Sequence, residues 1–144
     1  MMPPEPQRKG ARAGVLTVFL VEHDEAVRDA LTIVLEIAGL NVAAFGSALH
    51  FLEVYPNDGH GCLVVDVDMP GIDGLQLVRL LVDCGVALPT IATTARLSSH
   101  RLGERLPAGV VFLLEKPFGE DEFLGLVARA MAGTSRGADA GTTA

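Results

Sequence analysis

The sequence predicts an α/β protein with a doubly wound, five-stranded parallel sheet covered by helices on both faces. Five short apolar runs alternate with segments of helical periodicity. The first run is apolar and β-branched along its length, as expected of a strand buried on both sides. Polar residues gather where the runs stop, and open sheets of this kind place their sites beyond the carboxyl ends of the strands.

Val15–Val21 is the first strand. Ala26, Val27, Ala30, Leu31, Val34, Leu35 and Ala38 then recur at three- and four-residue spacing. They describe an amphipathic helix that Gly39 can end. Asp24 and Glu25 stand at its start, where the helix dipole favours carboxylates. Asn41–Phe45 is a second strand. Ser47 can cap a helix running to Tyr55, and Pro56-Asn57-Asp58-Gly59 is a turn.

Cys62–Asp66 is the third strand. Asp73 sits at the start of a helix over Leu75–Cys84, with Leu77, Leu80 and Leu81 on one side. Thr90–Thr94 is the fourth strand, opened by Pro89. A weak helix over 98–106, ended by Pro107, leads to a fifth strand at Val110–Leu114. The last helix, Glu120–Ala132, turns Phe123, Leu124, Val127 and Met131 inward. Residues 1–14 read as a flexible leader, 15–132 as the domain, and 133–144 as a flexible tail or the start of a linker.

Bulk properties narrow the function. The chain has 144 residues, 49% hydrophobic and 20% charged, which suits one globular domain. No apolar run approaches the ~20 residues of a membrane-spanning helix, and the leader lacks the apolar core of a secretory signal. A net charge of -7 disfavours direct nucleic-acid binding and anionic membranes. Cys62 and Cys84, without CxxC spacing, read as buried free thiols of a reducing, cytoplasmic compartment. His60 and His100 read as loop histidines.

The strand ends bring together Glu22 and His23, then Asp66, Thr94 and Lys116. A carboxylate beside a divalent cation can act as a nucleophile toward a phosphoryl group. A lysine adds positive charge, and a hydroxyl can bond a phosphoryl oxygen. Together they form a kit for making and holding an aspartyl phosphate.

VFLVEHDEAVR, CLVVDVDMPGIDG, PTIATTA and LLEKPF occur in this order, and the separations of 66, 94 and 116 fit as well. Over about residues 15–132 the sequence resembles the receiver domain of bacterial two-component response regulators. The resemblance implies a flavodoxin-like three-layer α/β/α fold with strand order 2-1-3-4-5, and a sensor histidine kinase or phosphotransfer protein as phosphoryl donor. It makes Asp66 the phosphoacceptor. Thr94 becomes the switch hydroxyl, and Lys116 the phosphoryl-binding lysine, with a cis bond to Pro117. Glu22, His23, Asp66 and the backbone carbonyl of Asp68 would hold Mg²⁺.

Three positions depart from the family pattern, the mildest being Glu22, one methylene longer than the Asp usual there. His23 stands where the family carries a second acid. Mg²⁺ favours oxygen ligands, whereas imidazole suits Mn²⁺, Zn²⁺ and other transition metals. Weakened Mg²⁺ binding and tolerance of Mn²⁺ are expected, and an imidazolium at His23 would supply part of the cation's charge. Leu113 occupies the aromatic-switch position. The nearby aromatic, Phe112, should point to the other side of the strand.

The expected function is therefore a phosphorylated receiver that signals by protein contact, homodimerisation included, with at most slow autodephosphorylation as chemistry. No effector domain follows residue 132, so the chain reads either as a single-domain regulator or as a piece ending before one. One alternative is a pseudo-receiver, an interaction or dimerisation module impaired in phosphorylation. A remote one is a haloacid-dehalogenase-type phosphatase, whose DxD nucleophile motif Asp66-Val67-Asp68 also resembles.

Overall fold

The computed structural model describes residues 16–55, 60–96 and 106–143, with side chains up to residue 133. Strands and helices alternate: β1 (Leu16–Val21), α1 (Glu25–Ile37), β2 (Val42–Phe45), α2 (Ala48–Val54), β3 (His60–Asp66), α3 (Gly74–Asp83), β4 (Thr90–Thr94), β5 (Val110–Glu115) and α4 (Glu120–Thr143). The five strands form one sheet in the order β2-β1-β3-β4-β5. Every pairing is parallel, as expected from the sequence.

Side chains alternate across the sheet and build two cores. Phe19 and Val21 of β1, with Leu63 and Val65 of β3, pack against Phe51 of α2 and Leu77 and Leu81 of α3. Val18 and Leu20, with Cys62 and Val64, pack on the other face against Leu35 of α1 and Phe123 and Val127 of α4. Coverage of both faces explains why these strands are apolar throughout. Burying a Leu- or Phe-sized side chain contributes about 1.5–3 kcal/mol, so two such layers hold the strand ends firmly in place.

The helix starts follow local chemistry. Asp24 caps α1, its carboxylate accepting from the Val27 N–H at 3.1 Å, and Glu25 sits in the first turn. Ser47 caps α2. Asp73 and Gln76 form a reciprocal capping box at α3. Gly74 is required next to it, because a Cβ there would lie 2.5 Å from the Asp66 carbonyl oxygen. The start of α3 is thus pressed against the end of β3.

Several details differ from the sequence expectation. Boundaries shift by one or two residues in both directions: β3 begins earlier, at His60, and β5 runs on to Glu115, whereas β2 begins only at Val42. Leu80 of α3 points outward, 41% exposed, and in α1 only Leu35 is fully buried. Cys84 is exposed rather than buried, since it caps the end of α3; Cys62 is buried. His60 is the exposed first residue of β3 rather than a loop residue. The helix α4 continues through 133–143, the stretch read as tail or linker start. The expected weak helix at 98–106 lies almost wholly outside the described residues, as do the leader 1–14, the turn at 56–59 and His100.

Candidate functional site

Parallel pairing brings the carboxyl ends of β1, β3, β4 and β5 to one edge. Asp66 is the last residue of β3 and Glu22 directly follows β1; each is only 1% exposed. Thr94 ends β4 and is fully buried. Lys116 follows β5, its N–H donating to the Thr94 carbonyl at 2.8 Å, and the Lys116–Pro117 bond is cis.

Burying two carboxylates is costly unless they are paired. Here each has several partners. The Lys116 ammonium donates to Glu22 Oε1 at 3.0 Å and lies 3.6 Å from Asp66 Oδ2. His23 Nδ1 sits 3.0 Å from that same Asp66 oxygen and 3.7 Å from Glu22 Oε2. The Asp68 N–H donates to Asp66 Oδ1 at 2.9 Å, and the Asp24 N–H donates to Glu22 Oε2 at 3.1 Å.

The electrostatics follow from this crowding. Burial raises the Glu22 carboxyl above its usual range; Asp66 adds to that, while Lys116 and the Asp24 N–H oppose it. Burial pulls the Lys116 ammonium down, but Glu22 and Asp66 outweigh it and hold the charged form above its usual range. A deep carboxylate pair with one firmly charged lysine is suited to handling another anion.

One ligand atom each from Glu22, His23 and Asp66 lies within 4.8 Å of the others. Two carboxylate oxygens and one imidazole nitrogen at this spacing fit a divalent cation, with a softer donor set than an all-oxygen site. His23 is the exposed member, its side chain 44% accessible, so the cluster opens to solvent on that side.

All the site residues named from the sequence that line this edge come together. Leu113 does not join them: it packs into the core on the α2–α3 side, while Phe112 belongs to the opposite face, under Arg129, whose guanidinium carbon is 4.8 Å from the ring centre. Phe112 therefore cannot substitute for an aromatic at position 113.

Two contributions were missed in the sequence. Arg28 donates to the Glu22 carbonyl at 2.8 Å, passing beside Gly46, where an added Cβ would lie 3.0 Å from its Nη1. The Asp68 carboxylate, rather than only its backbone, takes part: its Oδ2 accepts from the Thr94 hydroxyl at 2.9 Å and the Ala95 N–H at 3.1 Å. The available signal was a second acid two positions after Asp66 in an extended segment. An open apolar cavity of about 750 Å³ at the other end of the sheet, lined partly by Leu81, Leu88 and Val111, includes none of these residues.

Known proteins resemble this chain in sequence and fold. The response regulator receiver domain family matches residues 18–128. Transcriptional regulatory protein FixJ of Bradyrhizobium diazoefficiens is 32% identical over 114 residues, covering 79% of this chain and 56% of that protein. Transcriptional regulatory protein TdiR of Thauera aromatica is 36% identical over 116 residues, covering 81% and 51%. The chain thus spans about half the length of these curated relatives. Among solved structures, response regulator StyR superposes with a TM-score of 0.80 at 30% identity, covering 90% of this chain and 66% of that one. The FixJ-N crystal structure gives 0.66 at 30% identity, covering 81% and 94%. No described helix is long and apolar enough to cross a membrane. With the strand order, the buried acid at the end of β3 and the lysine after β5 already in place, the match fixes the family: this chain belongs to the response regulator receiver domains.

Proposed function

We propose that this receiver accepts a phosphoryl group on Asp66 from a partner histidine kinase or phosphotransfer protein, and signals by a change in protein contacts. Phosphorylation by a kinase is the general mechanism of the family. The observation that carries the residue assignment is the setting of Asp66: it is buried at a strand end, 3.6 Å from the Lys116 ammonium, with Glu22 and His23 alongside.

In the transfer, an Asp66 carboxylate oxygen bonds to phosphorus as the phosphorus–nitrogen bond of the donor phosphohistidine breaks. The leaving imidazole keeps the electron pair and takes a proton from solvent. Lys116 stabilises charge on the phosphoryl oxygens. Thr94 can donate its hydroxyl to one of them. A divalent cation held by Glu22, His23, Asp66 and the Asp68 carbonyl would neutralise phosphoryl charge when bound. Mg²⁺ suits the carboxylates, but the His23 nitrogen lowers its advantage and admits Mn²⁺. Signalling rather than turnover is the role, with autodephosphorylation slow. The cytoplasm is the expected setting, with the receiver spanning about residues 15–132. An output on transcription, as the names of the relatives suggest for those proteins, is an extension of the same reading, and so, separately, is homodimerisation.

A second reading is favoured by the 3.0 Å contact of His23 with Asp66. In it His23 already satisfies the acceptor oxygen, and the domain serves as a constitutive interaction module. Incubation with acetyl phosphate and Mg²⁺, followed by intact-mass measurement, separates the two. The first reading expects one added phosphoryl group on the native chain and none on Asp66→Asn. No addition to the native chain, with either Mg²⁺ or Mn²⁺, would favour the second.

A further inference from the structure

The Thr94 hydroxyl is fully engaged. It accepts from the Arg96 N–H at 3.1 Å and donates to Asp68 Oδ2 at 2.9 Å. The same Asp68 oxygen also accepts the Ala95 N–H at 3.1 Å. One carboxylate oxygen therefore ties the end of β4 to the loop after β3. A hydroxyl has a single hydrogen to donate. While Asp68 takes it, no phosphoryl oxygen on Asp66 can. Hydrogen bonds to an ionised acceptor are roughly twice as strong as neutral ones, so the arrangement resists exchange.

We propose that the Asp68 carboxylate is a positioning residue that latches Thr94 in the unphosphorylated chain and competes with the phosphoryl group for the Thr94 hydroxyl. The inference rests on Asp66 being the phosphoacceptor. It concerns the side chain of Asp68, not its backbone carbonyl. A phosphoryl group brings about 1.5–2 negative charges, and the Asp68 carboxylate stands two residues along the same loop. Two anions then contend for one donor. Switching requires Thr94 to leave one for the other. Asn at position 68 keeps an acceptor oxygen but removes the charge, which weakens the resting contact without deleting it.

The test is beryllofluoride binding, a non-covalent phosphoryl mimic, measured by calorimetry with Mg²⁺ on the full chain. Asp68→Asn is expected to bind roughly fivefold tighter than native, about the worth of one net hydrogen bond. Its thermal midpoint should stay level or fall. A merely structural Asp68 would lower stability and affinity together. In a Thr94→Val background the gain from Asp68→Asn should vanish, since the contested hydroxyl is gone. Equal or weaker binding by Asp68→Asn, or a gain that persists with Thr94→Val, overturns the latch. Binding by neither native nor Asp68→Asn overturns the assignment of Asp66, and the latch with it.

Discussion

The site has two halves that the same sheet edge holds side by side, and they differ in kind. The phosphoryl half comprises Asp66, Thr94 and Lys116. Its members lie at the ends of β3, β4 and β5 and are largely buried. The cation half comprises Glu22 and His23 after β1. There a buried carboxylate is joined to a histidine whose side chain is 44% exposed. The first half looks outward for an anion. In the second, Glu22 takes the Lys116 ammonium at 3.0 Å, and His23 turns toward Asp66 at 3.0 Å rather than toward Glu22 at 3.7 Å. The difference teaches that an acceptor can keep its nucleophile and its lysine while its claim on Mg²⁺ is separately altered.

The largest expected effect breaks the phosphoryl half. Lys116→Ala should slow phosphoryl uptake from acetyl phosphate on the order of 100-fold, as for loss of one charged group facing the transferred phosphoryl. A rate within threefold of native would remove Lys116 from the reaction. The next effect sharpens the contrast with the cation half. His23→Asp should tighten Mg²⁺ binding on the order of tenfold and affect Mn²⁺ less, because it exchanges a nitrogen for an oxygen ligand. Equal Mg²⁺ titrations of native and His23→Asp would mean that His23 takes no part in the cation site.

The remaining effects lie away from both halves and act as a control. Cys84 should react readily with a thiol reagent, and Cys62 only after unfolding. Burial pushes the Cys62 thiol from 9.0 up to about 12. The unfolded chain therefore ionises this group first, and the stability it supports is intact below about pH 9. That stability is lost as pH rises toward 12, by roughly 1.4 kcal/mol per pH unit. Cys62→Ala should lack this alkaline loss. Equal alkaline sensitivity in the two chains would assign it elsewhere.

Much of this was legible in the sequence, for physical reasons. Strands covered on both faces must be apolar along their length, so β1, β3 and β4 announced themselves. Asp24, Ser47 and Asp73 announced helix starts because unpaired N–H groups there need an acceptor. Asp66, Thr94 and Lys116 were found because strand ends of a parallel sheet converge. The Asp68–Thr94 contact was not legible: it joins residues 26 positions apart, and spacing along one loop says nothing of which side chain bends toward β4. Cys84 was misjudged because residue type alone suggested burial, while its place at the end of α3 decided otherwise. Gln76 was overlooked although its spacing from Asp73 is the signature of a capping box.

The most direct measurement asks which atom carries the phosphoryl group. After incubation with acetyl phosphate and Mg²⁺, the chain is treated with borohydride, which reduces an acyl phosphate to a stable alcohol, and its peptides are sequenced by mass. The reduced residue should be Asp66, and the label should be lost in Asp66→Asn. An acid-labile, borohydride-resistant phosphoryl group on His23, or a reduced residue other than Asp66, would contradict the account.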